Sequence, residues 1–226
     1  MPKVKFVFYK ERDLDNIWRT ANLGLSYGYD FKQYLSPDII SMCRGKTFEE
    51  CKGKLAKRIQ KTQSSGMVSN LLKAVNDSWK EINDEYFKRL KRVMTKPIYA
   101  DSFKAYMTSI DRCPYNPEEG SFMFSFFSGI PKIMETAGHE IMHLQFHHTY
   151  WPKIEDKIGR EKTSDLKEAL TVLLNLEFKD LWFFQDRGYD IHRELRKYIT
   201  EQWKKKKDFD VLMKKCVSYL KKNESR

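Results

Sequence analysis

The residues best suited to chemistry lie at positions 139–143, where the sequence reads His-Glu-Ile-Met-His. Residues four positions apart project from one face of a helix, so both imidazoles can bind a single Zn²⁺ at about 2.0–2.1 Å. Glu140 lies beside the first histidine and can act as general base on a zinc-bound water. This HExxH pattern predicts His139 and His143 as metal ligands and Glu140 as a catalytic residue.

A catalytic zinc ion takes three protein ligands and keeps an open position, so a third ligand is needed. His147 is rotated by about 80° from His139 on an unbroken helix, and we expect it and His148 at an exposed helix end. Glu168 is the best remaining candidate, because a loop and a turn of helix fit between it and the motif.

Glu168 also has a second interpretation. Asp165-Leu-Lys-Glu168 fits a capping box, in which the glutamate would accept a hydrogen bond from the backbone of Asp165. Glu161, Asp165 and Glu177 are the other acids that could complete the metal site.

Residues 121–195 resemble the gluzincins, the thermolysin-like zinc peptidases, in which HExxH is followed by a helix that carries a ligand Glu within a Glu-Ala-aliphatic-Ser/Thr run. Here Glu168-Ala-Leu-Thr171 matches that run. Further stretches are similar to small, uncharacterised bacterial zincin-like proteins: CPYN at 113–116, HEIMHLQFH at 139–147, KEALTVLLN at 167–175 and DRGYDIH at 186–192.

The resemblance implies roles for further residues. A downstream His or Tyr stabilises the oxyanion in that family, which points to His192 or Tyr189. The family also carries an Asp soon after the ligand Glu to orient a histidine, but Val172 stands at that position here. We expect Asp165 or Asn175 to supply this hydrogen bond instead.

The resemblance extends to the aromatic strand before the motif. In the family this strand lines the cleft and pairs with the substrate backbone, which implies that Phe124, Ser125 and Phe126 bind substrate.

Hydrophobic periodicity indicates the elements that position these residues. A long amphipathic helix is predicted from Ser65 to Lys96. Short β-branched and aromatic stretches at Phe103–Ile110 and Ser121–Ser128, separated by turn residues, predict an antiparallel hairpin with a long connection. The motif helix should begin near Pro131 and end near Tyr150.

Three weaker patterns complete this assignment. Lys3–Tyr9 alternates as a first strand would. Thr163-Ser164-Asp165 is a cluster of N-cap residues that predicts the start of the next helix. Asp208–Lys222 is amphipathic and predicts a helical tail.

These elements predict an α+β fold that is predominantly helical, with a small antiparallel sheet packed on the HExxH helix as in zincins. We expect a single domain over residues 1–226. Within it, residues 1–97 form a mainly helical N-terminal part, 98–203 the catalytic core and 204–226 a basic helical tail.

Composition narrows the function classes. The longest apolar runs are shorter than the ~18 residues that a membrane span needs, so no membrane contact is expected. The N-terminus lacks the apolar stretch of a secretory signal. Four scattered cysteines without CxxC spacing indicate reduced thiols, and a cytoplasmic protein is therefore expected.

The leading hypothesis is a zinc metalloendopeptidase-like hydrolase that cleaves a peptide or protein substrate with a zinc-bound water activated by Glu140. The alternative is a nucleic-acid-associated or regulatory binding protein with a structural or vestigial zinc site. It rests on charge, because more than half of the net charge of +11 falls within residues 204–226. A weak contact of this tail with nucleic acid or an acidic partner is expected.

Overall fold

The computed structural model of the protein describes residues 1–222, so the last four residues of the predicted basic tail lie outside the described part of the chain. The described chain is α+β: helices predominate, and four strands form one small mixed sheet. No helix among the described residues combines the length and apolar character needed to cross a membrane.

The helices and strands follow one another in the order β1 Lys3–Val7, α1 Lys10–Asn22, α2 Pro37–Cys43, α3 Phe48–Gln63, α4 Gly66–Met94, β2 Ser102–Thr108, β3 Tyr115–Asn116, β4 Ser121–Ser125, α5 Ile130–Thr149, α6 Trp151–Ile158, α7 Arg160–Leu170, α8 Val172–Glu177, α9 Lys179–Trp182, α10 Arg193–Lys205 and α11 Phe209–Lys222. Short 3₁₀ turns lie at Phe31–Tyr34 and Asp190–His192. The predicted long helix, motif helix and tail helix are therefore confirmed as α4, α5 and α11.

The chain divides into two compact units. The sheet unit comprises Val4–Lys80 and Phe103–Ala137, and the motif unit comprises Met1–Lys3, Glu81–Ser102 and the chain from Gly138 onward. The single domain expected from the sequence, with its three parts, stays a prediction.

The sheet has the strand order β1-β2-β4-β3. Strands β2 and β4 are parallel, with Thr108 opposite Ser125, whereas β3 and β4 are antiparallel. The predicted antiparallel pairing of the two aromatic strands is therefore wrong. The stretch assigned to their connection contains β3, and the tight turn after Asn116 reverses the chain into β4, which then runs in the direction of β2.

The turn between β3 and β4 has a clear local cause. The Asn116 side-chain oxygen accepts a hydrogen bond from the backbone N–H of Glu118 at 3.0 Å. Gly120 closes the turn with a φ of 59°, a conformation that costs glycine little.

Helices α1, α2 and α3 form the helical core of the sheet unit. The side chains of Leu14, Ile17 and Leu55 are fully buried there. At the edge of this core, both oxygens of the buried Asp13 carboxylate accept hydrogen bonds. One accepts from the Thr108 hydroxyl at 2.8 Å and the Ser109 N–H at 2.7 Å. The other accepts from the Ser109 hydroxyl at 2.8 Å and the Gln63 amide at 2.9 Å.

The motif unit is held together by close packing on α5. The Tyr86 hydroxyl of α4 donates to the Gly138 carbonyl oxygen at 2.7 Å. Trp182 of α9 packs so closely that a Cβ on Gly138 would lie 2.7 Å from its ring. Because residue 138 is a glycine, helix α9 can pack closely against α5 at the position that precedes His139.

Replacing Asp13 with alanine should destabilise the sheet unit, because it leaves the buried donor of Thr108 and the half-buried donors of Ser109 and Gln63 without their acceptor. We expect a loss of at least about 3 kcal/mol in the free energy of unfolding, measured with urea. Asp15→Ala is the control, since this half-exposed residue makes only a surface ion pair with Arg19. It should cost under about 0.5 kcal/mol, and equal losses for the two variants would contradict this role of Asp13.

Candidate metal centre

Helix α5 presents the two histidines of the motif side by side. The ring centroids of His139 and His143 are 4.3 Å apart. Their helix is embedded in the unit, because Ile141 and Leu144 are fully buried. His143 is buried as well, whereas the side chain of His139 keeps 19% of its surface exposed. One edge of the histidine pair is thus exposed to solvent.

Glu168, in the last turn of α7, faces both histidines. Its Oε2 atom lies 3.2 Å from Nε2 of His143 and 3.8 Å from Nε2 of His139. Ligand atoms bound to a tetrahedral zinc at about 2.0–2.1 Å are about 3.4 Å apart. Both distances from Oε2 to the histidine nitrogens are therefore close to those around one zinc ion, and the three residues form a group among the described residues that could hold a metal ion.

The capping-box interpretation of Glu168 is wrong, because its helix begins well before Asp165. Helix α7 begins at Arg160, after Gly159 with a φ of 77°, so the predicted N-cap cluster at Thr163–Asp165 is wrong. Asp165 lies inside the helix, and the Glu168 side chain is directed to the histidines. Of the rival acids, Glu161 is exposed and Glu177 accepts from Trp203 and Lys207.

Asp186 orients the first histidine. Its Oδ2 atom lies 2.6 Å from Nδ1 of His139, and the side chain is 3% exposed. A carboxylate on Nδ1 fixes the imidazole so that Nε2 is the nitrogen available to a metal, which is the usual arrangement around metal-bound histidines. Nε2 of His139 is the atom that faces Glu168.

Neither residue expected for this role contacts the histidine through its own side chain. Asn175 holds the backbone of Asp186 instead, donating to its carbonyl oxygen at 2.7 Å and accepting from its N–H at 2.8 Å. The Asp165 carboxylate accepts a hydrogen bond from Nε2 of His192 at 3.0 Å. Asp186 lies in the DRGYDIH stretch of the resemblance, but the sequence pattern assigned it no role.

Arg196 of α10 locks Asp186 in place. Its Nη2 donates to Oδ1 of Asp186 at 2.7 Å and to the Asp186 carbonyl oxygen at 2.9 Å, and its Nη1 donates to the Thr171 hydroxyl at 2.9 Å. Burial disfavours the charge of Asp186, but His139 and Arg196 outweigh it and hold the pKa of this carboxyl well below its ordinary value. Asp186 is therefore a carboxylate at neutral pH.

The two histidines have opposite pKa shifts. Burial, followed by the charge of Lys167, lowers the pKa of His143 to about 3, so this imidazole is neutral and ready to bind a metal. Burial acts the same way on His139, but Asp186 and Glu168 outweigh it and raise the pKa of His139 well above its ordinary value. Burial alone would raise the pKa of the Glu168 carboxyl. The two histidines outweigh this effect and hold its pKa well below the ordinary value. Metal binding at His139 must therefore release a proton.

The two candidates for the oxyanion lie together on the segment before α10. The His192 ring is 4% exposed, and the Tyr189 ring meets it edge-on with centroids 5.9 Å apart. Asp165, which holds His192, precedes Glu168 by three positions and so lies on the same face of α7. His192 is thereby fixed one helical turn from the third metal-ligand candidate.

The three predicted substrate-binding residues belong to the sheet unit. Phe124 is fully buried and Ser125 is 3% exposed, bonded to Asp111. Strand β4 is an inner strand where β3 flanks it, and Met123 N–H still donates to Pro114. Beyond Met123, β4 has no strand on its outer edge among the described residues, and substrate binding by Phe124, Ser125 and Phe126 stays a prediction.

The aromatic residues in and just before the basic tail take part in packing. Trp203 and Phe209 are buried, and the ring of Tyr219 stacks on Tyr198 with centroids 4.3 Å apart. These contacts lie within the motif unit. A weak contact of residues 204–226 with nucleic acid or an acidic partner stays a prediction that rests on the lysines alone.

Comparisons of the chain with protein-family models, with curated proteins and with solved structures give no match. The chemistry of the centre therefore follows from its own geometry.

Gly188→Ala should weaken metal binding through Arg196. Gly188 has a φ of +65°, and an added Cβ would lie 2.6 Å from Nη1 of Arg196, which must then leave Asp186. We expect the dissociation constant for Zn²⁺, measured by competition with a chromophoric chelator, to rise by about 10–100-fold.

Gly159→Ala is the matched control for this prediction. Gly159 has a φ of +77°, but nothing lies within 4 Å of an added Cβ. Both variants place an alanine at a positive φ and should lose about 1–3 kcal/mol of stability to backbone strain. Equal zinc affinities for the two variants would contradict a role of Arg196 in holding Asp186.

Proposed function

We propose that the protein is a zinc-dependent metallopeptidase of the gluzincin type, with zincin-like packing around the motif helix. One observation carries the proposal: Oε2 of Glu168 lies 3.2 Å from Nε2 of His143 and 3.8 Å from Nε2 of His139, close to the ligand separations around a single tetrahedral ion. Asp186 on Nδ1 of His139 supports it, because a carboxylate behind a ligand histidine is typical of zinc centres.

The donor set favours zinc among the common metal ions. Two imidazoles and one carboxylate combine nitrogen and oxygen ligands, whereas Ca²⁺ and Mg²⁺ prefer oxygen alone. Bound at His139, His143 and Glu168, zinc would supply a Lewis acid with one coordination position left for water or substrate. This count of three protein ligands separates a catalytic site from a closed structural one.

Glu140 is the proposed general base. Its side chain is 8% exposed, and its charge is close enough to His139 to help raise the pKa of that imidazole. The Glu140 carboxylate would take a proton from the attacking water and pass it to the leaving amine, which converts a poor leaving group into a neutral one.

His192 is the proposed donor to the developing oxyanion, with Tyr189 as its neighbour and alternative. Asp165 lies 3.0 Å from Nε2 of His192 and fixes the ring, so donation to the oxyanion would come from Nδ1 of an imidazolium that is oriented before substrate binds. The proposed substrate is a peptide or protein in extended form, and the role of Phe124, Ser125 and Phe126 in binding it stays a prediction.

Glu140→Gln should abolish cleavage and leave zinc binding intact, because glutamine keeps the shape of the side chain but cannot take a proton. We expect one zinc per chain by elemental analysis. Cleavage of a random peptide library, followed by mass spectrometry, should fall by about 10²–10⁴-fold.

Glu161→Gln is the control for this experiment. It removes the same charge from an exposed position on α7 and should cleave like the wild type. Cleavage by Glu140→Gln at the wild-type rate would contradict the proposed mechanism. A zinc-loaded wild type that cleaves no peptide of the library would contradict the peptidase assignment.

A further inference from the structure

The two carboxylate oxygens of Glu168 are divided between different partners. Oε2 faces the histidines, at 3.2 Å from Nε2 of His143. Oε1 lies 2.6 Å from the ammonium of Lys167, the preceding residue on α7. Lys167 is itself only 4% exposed, so this ion pair is buried beside the candidate metal centre.

This pairing is not a by-product of helix geometry. Consecutive helical residues point about 100° apart, so Lys167 and Glu168 meet only because the lysine side chain bends towards its neighbour. A lysine that reached solvent would avoid the cost of burying its charge. The ammonium of Lys167 instead stays buried and forms an ion pair with one carboxylate oxygen of Glu168, a candidate metal ligand.

From this division of the carboxylate we infer that Lys167 is a positioning residue that limits Glu168 to one bond with the metal. The inference rests on the proposed zinc centre. With Oε1 bonded to Lys167, only Oε2 can bind the ion, and the protein supplies three donor atoms in place of four. An open tetrahedral position is thereby kept for water or substrate.

The same contact favours zinc over ions that need more oxygen ligands. Ca²⁺ takes six to eight oxygens, often with bidentate carboxylates, and Mn²⁺ suits octahedral oxygen-rich sites. A carboxylate held to one oxygen cannot meet these demands. The buried ammonium also repels a divalent cation, so the centre binds metal less tightly than its ligands alone would allow.

Lys167→Met tests the inference, because methionine fills similar space without a charge or a donor. Oε1 of Glu168 is then released to the metal, and the repulsion of the cation disappears. Both changes act in one direction, so the dissociation constant for Zn²⁺ should fall by about tenfold or more. Mn²⁺ affinity should rise by a larger factor.

The coordination number is read from the visible absorption of the Co²⁺-loaded full chain. Wild type should show the intense bands of a four-coordinate ion, and Lys167→Met the weaker bands of five-coordinate Co²⁺. Lys167→Arg, which restores a cation that can donate to Oε1, should return the wild-type spectrum. Lys157→Met removes an exposed lysine of the preceding helix and should leave both the affinities and the spectrum unchanged.

Stability gives an independent measurement. With EDTA present, Lys167→Met should unfold at a lower temperature than wild type, because Glu168 loses its buried partner. If that variant unfolds altogether without metal, its spectrum is taken after refolding with Co²⁺, and the Lys167→Arg spectrum is compared with wild type.

The outcomes separate this inference from the proposed function. Weaker or unchanged zinc binding in Lys167→Met, or a four-coordinate spectrum in every variant, would overturn the role of Lys167 while wild-type zinc binding stood. Failure of the wild type itself to bind zinc or cobalt would overturn the proposed metal centre and the inference with it.

Discussion

The motif unit depends on one buried carboxylate. Asp186 joins three helices that are distant in sequence: its side chain bonds to His139 of α5 and Arg196 of α10, and its backbone bonds to Asn175 of α8. A carboxylate buried to this extent is stable only when it is paired and its oxygens accept hydrogen bonds. The requirement to satisfy Asp186 therefore fixes the orientation of His139 and, through it, the direction of Nε2.

Charge compensation explains why the centre can exist inside the protein. Two carboxylates, Asp186 and Glu168, are balanced by the guanidinium of Arg196 and the ammonium of Lys167, while His143 is held neutral. Each acid has one oxygen directed to a histidine and the other to a basic side chain. Both acids are thus oriented by two different partners, and the geometry of the ligand atoms does not rely on burial alone.

The sequence was sufficient where chemistry and periodicity coincide. The HExxH spacing predicted that His139 and His143 share one helix face, the amphipathic pattern predicted the length of α4, and the length of the intervening chain allowed Glu168 to lie beside them. Their role as metal ligands stays a prediction. Prediction from the sequence failed where contacts between residues distant in the chain determine the structure. Asp186 lies in an irregular segment without periodicity, and its importance comes from Arg196 and Asn175, which approach it only in the folded chain.

Two errors in the secondary structure have physical causes of the same kind. The direction of β4 depends on the two-residue strand β3, which is too short to leave a hydrophobic pattern. The start of α7 depends on Gly159, whose positive φ separates two helices more effectively than the hydroxyl side chains at 163–164. In both places a turn, and not the hydrophobic or N-cap pattern around it, determines where the element begins or which way it runs.

We expect His139, His143 and Glu168 to bind one zinc ion, and X-ray absorption at the zinc edge of the loaded full chain is the decisive measurement. The spectrum and metal content should show one zinc per chain, with two imidazole nitrogens at about 2.0–2.1 Å, a single carboxylate oxygen at a similar distance and one further light atom. Failure to bind one zinc per chain, a sulfur atom among the ligands, or an unchanged imidazole signal in His143→Ala would contradict it.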